Sequence, residues 1–459
     1  MSLTNLPTEL LHQICGYLEP SEWCALRLTC QVLHKKSREA FADQFFKSTC
    51  MLITQDGLND LEQFTTNEFI RTHVQELVIV PVLFEAENNM DIGRFKTTFH
   101  ALQDYEQYQA AVAEHRHILD SGVFEDTITR CVAQFENLAM IGLQSLTMSY
   151  RVAGPKRYTP RCLGLRSLER RVPCSRRGIQ LYIQRRHRLD FARAHSMVLS
   201  VLLKAFVACN RPLRKIDMCN DFHLGCTAAA FMIPESTQQS LIPLVQELEA
   251  LHLCQLAETP EDHSLSFMHT ILVEAAPSLK SLAFGQWCPN QSMSPHSLIS
   301  LAERVSFRRL RELHLCWVEI TYSSFEKLLR TAQPTLRILS IHHVNLSYKF
   351  MPSSVPSEPN SAENVKKTEI TEREMVQAWR CIWNTIRDEL SLTCLSLHQL
   401  GCYGFQVKVQ EGIGRASIEN PDASYNSAYT DISIHEWIDK LYARALTWKR
   451  GMFLPWGKW

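Results

Sequence analysis

The chain has no excess of charge of either sign: 48 Lys and Arg balance 48 Asp and Glu across 459 residues. That balance supplies no overall pull toward nucleic acid or a membrane surface. No apolar run is long enough to span a bilayer, and the longest stretch, Met197 to Cys209, is interrupted by Lys204. The N-terminus has neither the basic start nor the apolar core of a signal peptide, so a cytoplasmic or nuclear protein is expected. The 16 cysteines include no Cys-x-x-Cys pair, and Cys15, Cys30, Cys209, Cys254 and Cys316 lie inside apolar patterns. They read as small buried hydrophobes in a reducing compartment. Also missing are a Gly-x-Ser-x-Gly elbow, a Walker lysine loop, a His-Glu-x-x-His pair and a dinucleotide glycine fingerprint. No catalytic residue, cofactor or metal is therefore expected. His252 and His314 fall two strands apart, roughly 10 Å at about 4.8 Å per strand, too far to share a zinc ion. His342 and His343, read as neighbours on one strand, point to opposite faces.

What the chain does have is concentrated at its start. Pro7 suits the first turn of a helix, with Asn5 upstream and Glu9 in the first turn as further start signals. Leu10, Ile14 and Leu18 recur every four residues beside Leu11 and Cys15, predicting a helix of about three turns with an apolar stripe. Pro20-Ser21 ends it and begins another, Ser21 being the expected N-cap. Ala25, Leu26, Leu28, Cys30, Val32, Leu33, Phe41 and Phe45 continue the apolar pattern. Helices this short cannot bury their own apolar faces and need a partner.

The combination Leu6, Pro7, Glu9, Leu10, Ile14, Tyr17, Leu18, Pro20, Leu26, Arg27, Leu28, Cys30 and Leu33 resembles the F-box, over residues 1–46. The Trp that many members carry soon after the Cys is absent. The resemblance, to F-box proteins of the fungal type, implies docking on the Skp adaptor of a cullin–RING ubiquitin ligase. The residues it implies for docking are Leu6, Pro7, Leu10, Leu11, Ile14, Leu18, Leu26, Leu28, Cys30 and Leu33.

Behind this module one pattern recurs: apolar, two residues, apolar, one residue, apolar. It begins at Leu213, Leu248, Leu279, Leu310, Leu336 and Leu392, with weaker copies at Val74 and Phe135. The starts at 248, 279 and 310 are 31 apart and the next follows after 26, but 336 to 392 is 56. Residues 347–371, rich in Pro and Ser, read as a flexible insertion, and removing those 25 residues restores a spacing of 31. The spacers read as helices, with Phe267, Ile271, Leu272 and Ala275 before one strand and Trp379, Ile382, Trp383 and Ile386 before another. Residues 86–130 also read as mostly helical. Residues 47–459 are therefore similar to an irregular α/β leucine-rich-repeat solenoid. The usual Asn or Cys three residues past each strand is replaced by Leu256, Trp287, Val318, Val344 and Leu400.

Alternation along a strand would put Glu249, His252, Lys280, Arg311, His314, Arg337, Ser340 and Ser396 on the concave face, the candidate surface for a substrate protein. Residues 151–188 hold twelve Arg or Lys against one acid and read as a loop-like basic insertion. With little aromatic interleaving, base stacking there is weakly supported. The aromatic end, 429–459, reads as a cap on the repeat array, with Trp437, Leu441 and Trp448 on one helical face. The fold class expected is thus α/β, a helical F-box followed by repeated strand–helix units. The function expected is a substrate adaptor of an Skp–cullin–F-box ligase. The alternatives are an F-box protein acting outside ubiquitylation, and a nucleic-acid-associated protein using the basic insertion. No obligate self-association is implied.

Overall fold

A 3-10 turn, Leu3–Asn5, and four short α-helices open the chain. Helix α1 (Thr8–Cys15) starts behind Pro7, its N-cap, and stops at Gly16. It is two turns long instead of the three that Leu18 suggested; Leu18 sits in the following turn, its N–H donating to the Cys15 carbonyl at 3.0 Å. Helix α2 (Pro20–Thr29) is capped by Glu19, not Ser21: the Glu19 N–H donates to the Glu22 carboxylate at 2.7 Å in a reciprocal capping box. Extended Cys30 divides α2 from α3 (Gln31–Lys36), and Ser37 divides that from α4 (Arg38–Phe45). Lys36 closes the module, its Nζ donating to the Thr4 and Leu6 carbonyls at 3.0 and 2.8 Å. His12 Nε2 donates to the Lys36 carbonyl at 2.9 Å. The core is Leu11, Cys15, Trp23 and Leu33, with Leu18, Leu26, Cys30, Phe41 and Phe45 against it. The Trp23 ring lies 5.8 Å from both Phe41 and Phe45.

The computed structural model describes residues 3–81, 102–144, 162–172, 188–218, 225–256, 265–287, 302, 304–347, 372–398, 400–402, 405–408, 423–426, 432–443 and 447–449. All of the expected insertion at 347–371 except Ser347, which ends a strand, and most of the basic stretch at 151–188 lie outside them. Two compact units result, Met1–Leu224 with Ile233–Leu244, and Gly225–Met232 with Val245–Trp459.

In the first unit the helical module runs into a parallel sheet. Its strands are β1 (Ser48–Leu52), β2 (Glu76–Val80), β3 (Met140–Leu143), β4 (Cys162–Leu163) and β5 (Lys215–Asp217), in the order β4-β1-β2-β3-β5. Leu77, Ile141 and Ile216 pair across β2, β3 and β5 and are buried. The repeat copy placed at Phe135 therefore begins three residues later, at Leu138. Ile141 and Leu143 fill its inward positions, whereas Met140 is half-buried. A further copy, which the leucine spacing does not mark, begins at Phe46, where Thr49 and Met51 take the inward positions and the Thr49 hydroxyl donates to the Phe46 carbonyl at 3.1 Å. Helices Leu102–Asp120 and Val123–Gln134 occupy the described part of 86–130. Gly164, with a φ of +79°, turns the chain after β4, where a side chain would lie 2.5 Å from the Thr54 hydroxyl. In the following helix, Leu165–Arg171, Arg171 is paired with Glu114 at 2.5 Å and Asp56 at 3.5 Å, so this member of the basic stretch is structural.

The second unit holds parallel strands β6 (Ala250–Leu256), β7 (Ser281–Trp287), β8 (Glu312–Cys316), β10 (Ile338–His342) and β12 (Cys394–His398), with β15 (Ala423–Asn426) antiparallel on β12. Leu251, Leu282, Leu313, Leu339 and Leu395 pair in one row, and Leu253, Phe284, Leu315, Ile341 and Leu397 in the next, all buried. Helix Leu265–Ala275 buries Met268, Ile271, Leu272 and Ala275, and helix Tyr322–Ala332 buries Phe325, Leu328, Leu329 and Ala332. Helix Glu372–Glu389 buries Trp379, Ile382, Trp383 and Ile386. A second sheet contains parallel β9 (Glu319–Thr321), β11 (Asn345–Ser347) and β13 (Gly401–Cys402), with antiparallel β14 (Phe405–Lys408) and β16 (Thr447–Lys449). Within the C-terminal region, Trp437 is buried on helix Ile434–Ala443, but Trp448 lies on β16 opposite Val407 and does not share its helical face. His343 is likewise not on a strand: it follows β10 with a φ of +51°.

One backbone device recurs in both units. The carbonyl just before a strand accepts two N–H groups from the start of the next. Lys47 O takes Gln75 and Glu76, Gln75 O takes Ala139 and Met140, and Ala139 O takes Arg214 and Lys215, at 2.7–3.3 Å. Glu249 O takes Lys280 and Ser281, Lys280 O takes Arg311 and Glu312, Arg311 O takes Arg337 and Ile338, and Arg337 O takes Thr393 and Cys394, at 2.7–3.1 Å.

Leu313 lies between Leu282 and Leu339 with no exposure. Leu313→Ala should cost about 2–5 kcal/mol, as other buried Leu truncations do, read as a lower urea midpoint. Leu28→Ala, at an exposed position, should move the midpoint by no more than about 0.5 kcal/mol.

Candidate functional site

The helical module carries apolar side chains on two sides. On α1, Leu11 and Cys15 face the core, whereas Leu10 and Ile14, also four residues apart, face outward. Tyr17 is 86% exposed, Leu28 85% exposed, and Leu3 and Val32 about half as much. Of the residues expected to dock, Pro7, Leu10, Ile14 and Leu28 are exposed and Leu6 is half-buried. Leu11 and Leu33 are withdrawn into the core, and Leu18, Leu26 and Cys30 are partly buried against it. These five support the surface and do not form it. Tyr17 and Val32 belong to the exposed set but were not in the expected one. The signal for both was present: Tyr17 follows Leu10 and Ile14 at helical spacing, in the turn just past α1, and Val32 lies beside buried Leu33 on α3.

In the second unit the candidate substrate residues divide differently from the expectation. His252, Ala283, His314, Ser340 and Ser396 do pair in one row across β6, β7, β8, β10 and β12. Glu249, Lys280, Arg311 and Arg337 precede their strands and form a separate row along the strand starts. The true face-mates of His252 lie two residues before and after it, by alternation. Ala250, Ser281, Glu312, Ile338 and Cys394 form that earlier row. Ser281 and Glu312, absent from the expected set, join the rows. The Ser281 hydroxyl donates to the Glu312 carboxylate at 3.0 Å, and His252 Nε2 donates to Ser281 Oγ at 2.9 Å. Ser396 Oγ lies 3.4 Å from His342 Nε2. At the strand starts Lys280 pairs with Glu249 at 2.8 Å.

Burial pushes the His314 imidazole below its ordinary pKa; the Glu312 carboxylate opposes that shift and His252 adds to it. In this Ser–His–Glu set the Glu312 carboxylate accepts from the serine hydroxyl, and the serine oxygen faces the histidine. Burial likewise pushes the Cys131, Cys226 and Cys316 thiols up to about 12. Such thiols stay protonated and act as apolar filling. Among the described residues no group of His, Cys, Asp and Glu could hold a metal ion, and no helix is long and apolar enough to cross a membrane.

Residues 3–37 match the F-box-like family model, so the chain carries an F-box-like module at the surface just described. No curated protein matches the chain.

A histidine whose folded pKa is depressed leaves the unfolded state binding more protons below about pH 6.5. The His314 contribution to stability is therefore present above that pH and is lost as pH falls through the folded pKa. The urea midpoint of the chain should fall between pH 7 and pH 5, and His314→Gln should flatten that fall; an equal slope in the variant would assign the dependence to other groups.

Proposed function

We propose that this chain is the substrate-recognition adaptor of a Skp–cullin–F-box ubiquitin ligase. The observation that carries the reading is the outward apolar set Leu10, Ile14, Tyr17, Leu28 and Val32 on a module whose sequence matches the F-box-like family. Five apolar side chains left in water on a module this small are an association surface. In the proposed complex they dock on the Skp adaptor, which is joined to the cullin–RING machinery. The strand–helix units of residues 47–459, read as an irregular leucine-rich-repeat solenoid, present the target protein; the in-register rows of buried leucines support that reading. The chain itself contributes no catalytic group and works in the cytoplasm, the nucleus or both. It acts by proximity: a target lysine held beside a charged conjugating enzyme meets it at a high effective concentration.

The test is co-purification with the Skp adaptor. Wild type should bind, and L10A/I14A/L28A should lose at least tenfold in affinity, since each tenfold needs only about 1.4 kcal/mol. These positions are exposed, so the variant's urea midpoint should stay near that of wild type. Failure of the wild-type chain to bind, or equal binding by the variant, would remove the adaptor reading.

A further inference from the structure

The row along the strand starts of the second unit is electrically lopsided. At one end Glu249 neutralises Lys280. Toward the other, the Arg311 guanidinium, and those of Arg308 and Arg309 just ahead of it in the chain, are exposed and, among the described residues, meet no carboxylate and no hydrogen-bond acceptor. Among the described residues the Arg337 guanidinium, one strand further, bonds only to backbone carbonyls, at 2.8 Å to Leu336 and 3.5 Å to Pro334 and Ser391. Carbonyl dipoles do not cancel a full charge. Arg311 and Arg337 are also held at a fixed separation, because the Arg311 carbonyl accepts the Arg337 and Ile338 N–H groups at 2.8 and 2.9 Å. Adjacent strands set their backbones about 4.8 Å apart.

We infer that Arg308, Arg309, Arg311 and Arg337 form a recognition site for an oxyanion-bearing segment of the bound target protein, the oxyanions being carboxylates or phosphates. This rests on the adaptor reading above and names its substrate class. A guanidinium offers a planar fork that fits either oxyanion with two parallel hydrogen bonds. In an extended segment, alternate residues point the same way about 6.6–6.8 Å apart, a spacing that arginine arms on neighbouring strands can reach. The backbone ladder fixes where two of the forks start, so less ordering is needed on binding. A nucleic acid suits the site less well. None of the exposed large hydrophobic side chains lies in 304–347 to stack on a base. The chain as a whole is also neutral, with 48 basic and 48 acidic residues.

The experiment uses the full chain without the Skp adaptor, so that its outcome is independent of docking. Fluorescence anisotropy is measured with labelled decapeptides of alternating Glu-Gly, phosphoserine-Gly and Gln-Gly, and with a single-stranded DNA decamer. At least one of the two anionic peptides should bind at least tenfold more tightly than the Gln-Gly peptide, and whichever does so identifies the oxyanion. R308Q/R311Q should weaken that binding about tenfold, the loss expected of charge-assisted bonds, with an unchanged thermal midpoint. R308K/R311K should recover only part of it, because a lysine keeps the charge without the fork. The inference is overturned if neither anionic peptide outbinds Gln-Gly, if R308Q/R311Q binds as wild type does, or if the DNA outbinds both peptides. Skp co-purification of R308Q/R311Q, expected to match wild type, separates failure of this site from failure of the adaptor reading.

Discussion

A parallel strand can slip along its neighbour, and a slip of one residue exchanges every side chain between the two faces of the sheet. The shared carbonyl at each strand start holds the chain against that slip. Because one oxygen takes two successive N–H groups, at 2.8 and 3.1 Å from Lys280 to Arg311 and Glu312 for example, each strand is located by its first two residues. The leucine rows, the polar rows and the arginine row then follow from sequence spacing alone. The same device operates from Lys47 to Lys215 and from Glu249 to Cys394, so each unit is built by one rule despite spacers of very different length.

The rule needs a complement at the other end of each strand. There the chain has Val318 and Val344, both buried and without a side-chain donor or acceptor to tie neighbouring turns together. The link between turns falls to backbone. Trp317 and His343, with φ of 58° and 51°, turn the chain out of β8 and β10 into β9 and β11, which pair with each other. Left-handed backbone costs roughly 1–2 kcal/mol for a residue with a side chain. The two rings stack at 3.5 Å and 9°, and the Trp317 N–H donates to the His342 carbonyl at 2.9 Å, contacts that offset part of that cost.

These features explain what the sequence could disclose. Leucine spacing locates β6, β7, β8, β10 and β12 because the inward positions there are all large and apolar. It fails at β1, where Thr49 stands at an inward position and is tolerated because its hydroxyl reaches the Phe46 carbonyl. It misplaces β3 by three residues because Phe135 and Leu138 are both buried and either could lead the pattern. Ser281 and Glu312 are not legible because, by alternation, the residue after the leading leucine reads as part of the strand face. The ladder puts it before the strand, and the face begins one residue later. The docking set was half legible for a similar reason: an eight-residue helix with Leu10, Leu11, Ile14 and Cys15 shows that it is apolar, not which side turns inward.

On the adaptor reading, the two surfaces divide the work of recognition by their chemistry. Apolar contact is non-directional and scales with area, which suits a module that must hold the same shared partner in every encounter. Guanidinium and hydroxyl groups are directional, and a wrong partner leaves them desolvated and unpaired, so they discriminate more than they bind. That division also makes the surfaces separately mutable. Leu10 and Leu28 can change without loss of the core formed by Leu11, Trp23 and Leu33, and Arg311 can change without disturbing the carbonyl ladder, to which it contributes only backbone. Arg337, whose guanidinium also holds the Leu336 carbonyl, is the member of that surface tied to the fold; the others can be altered for a new target while the fold and the docking module stay fixed.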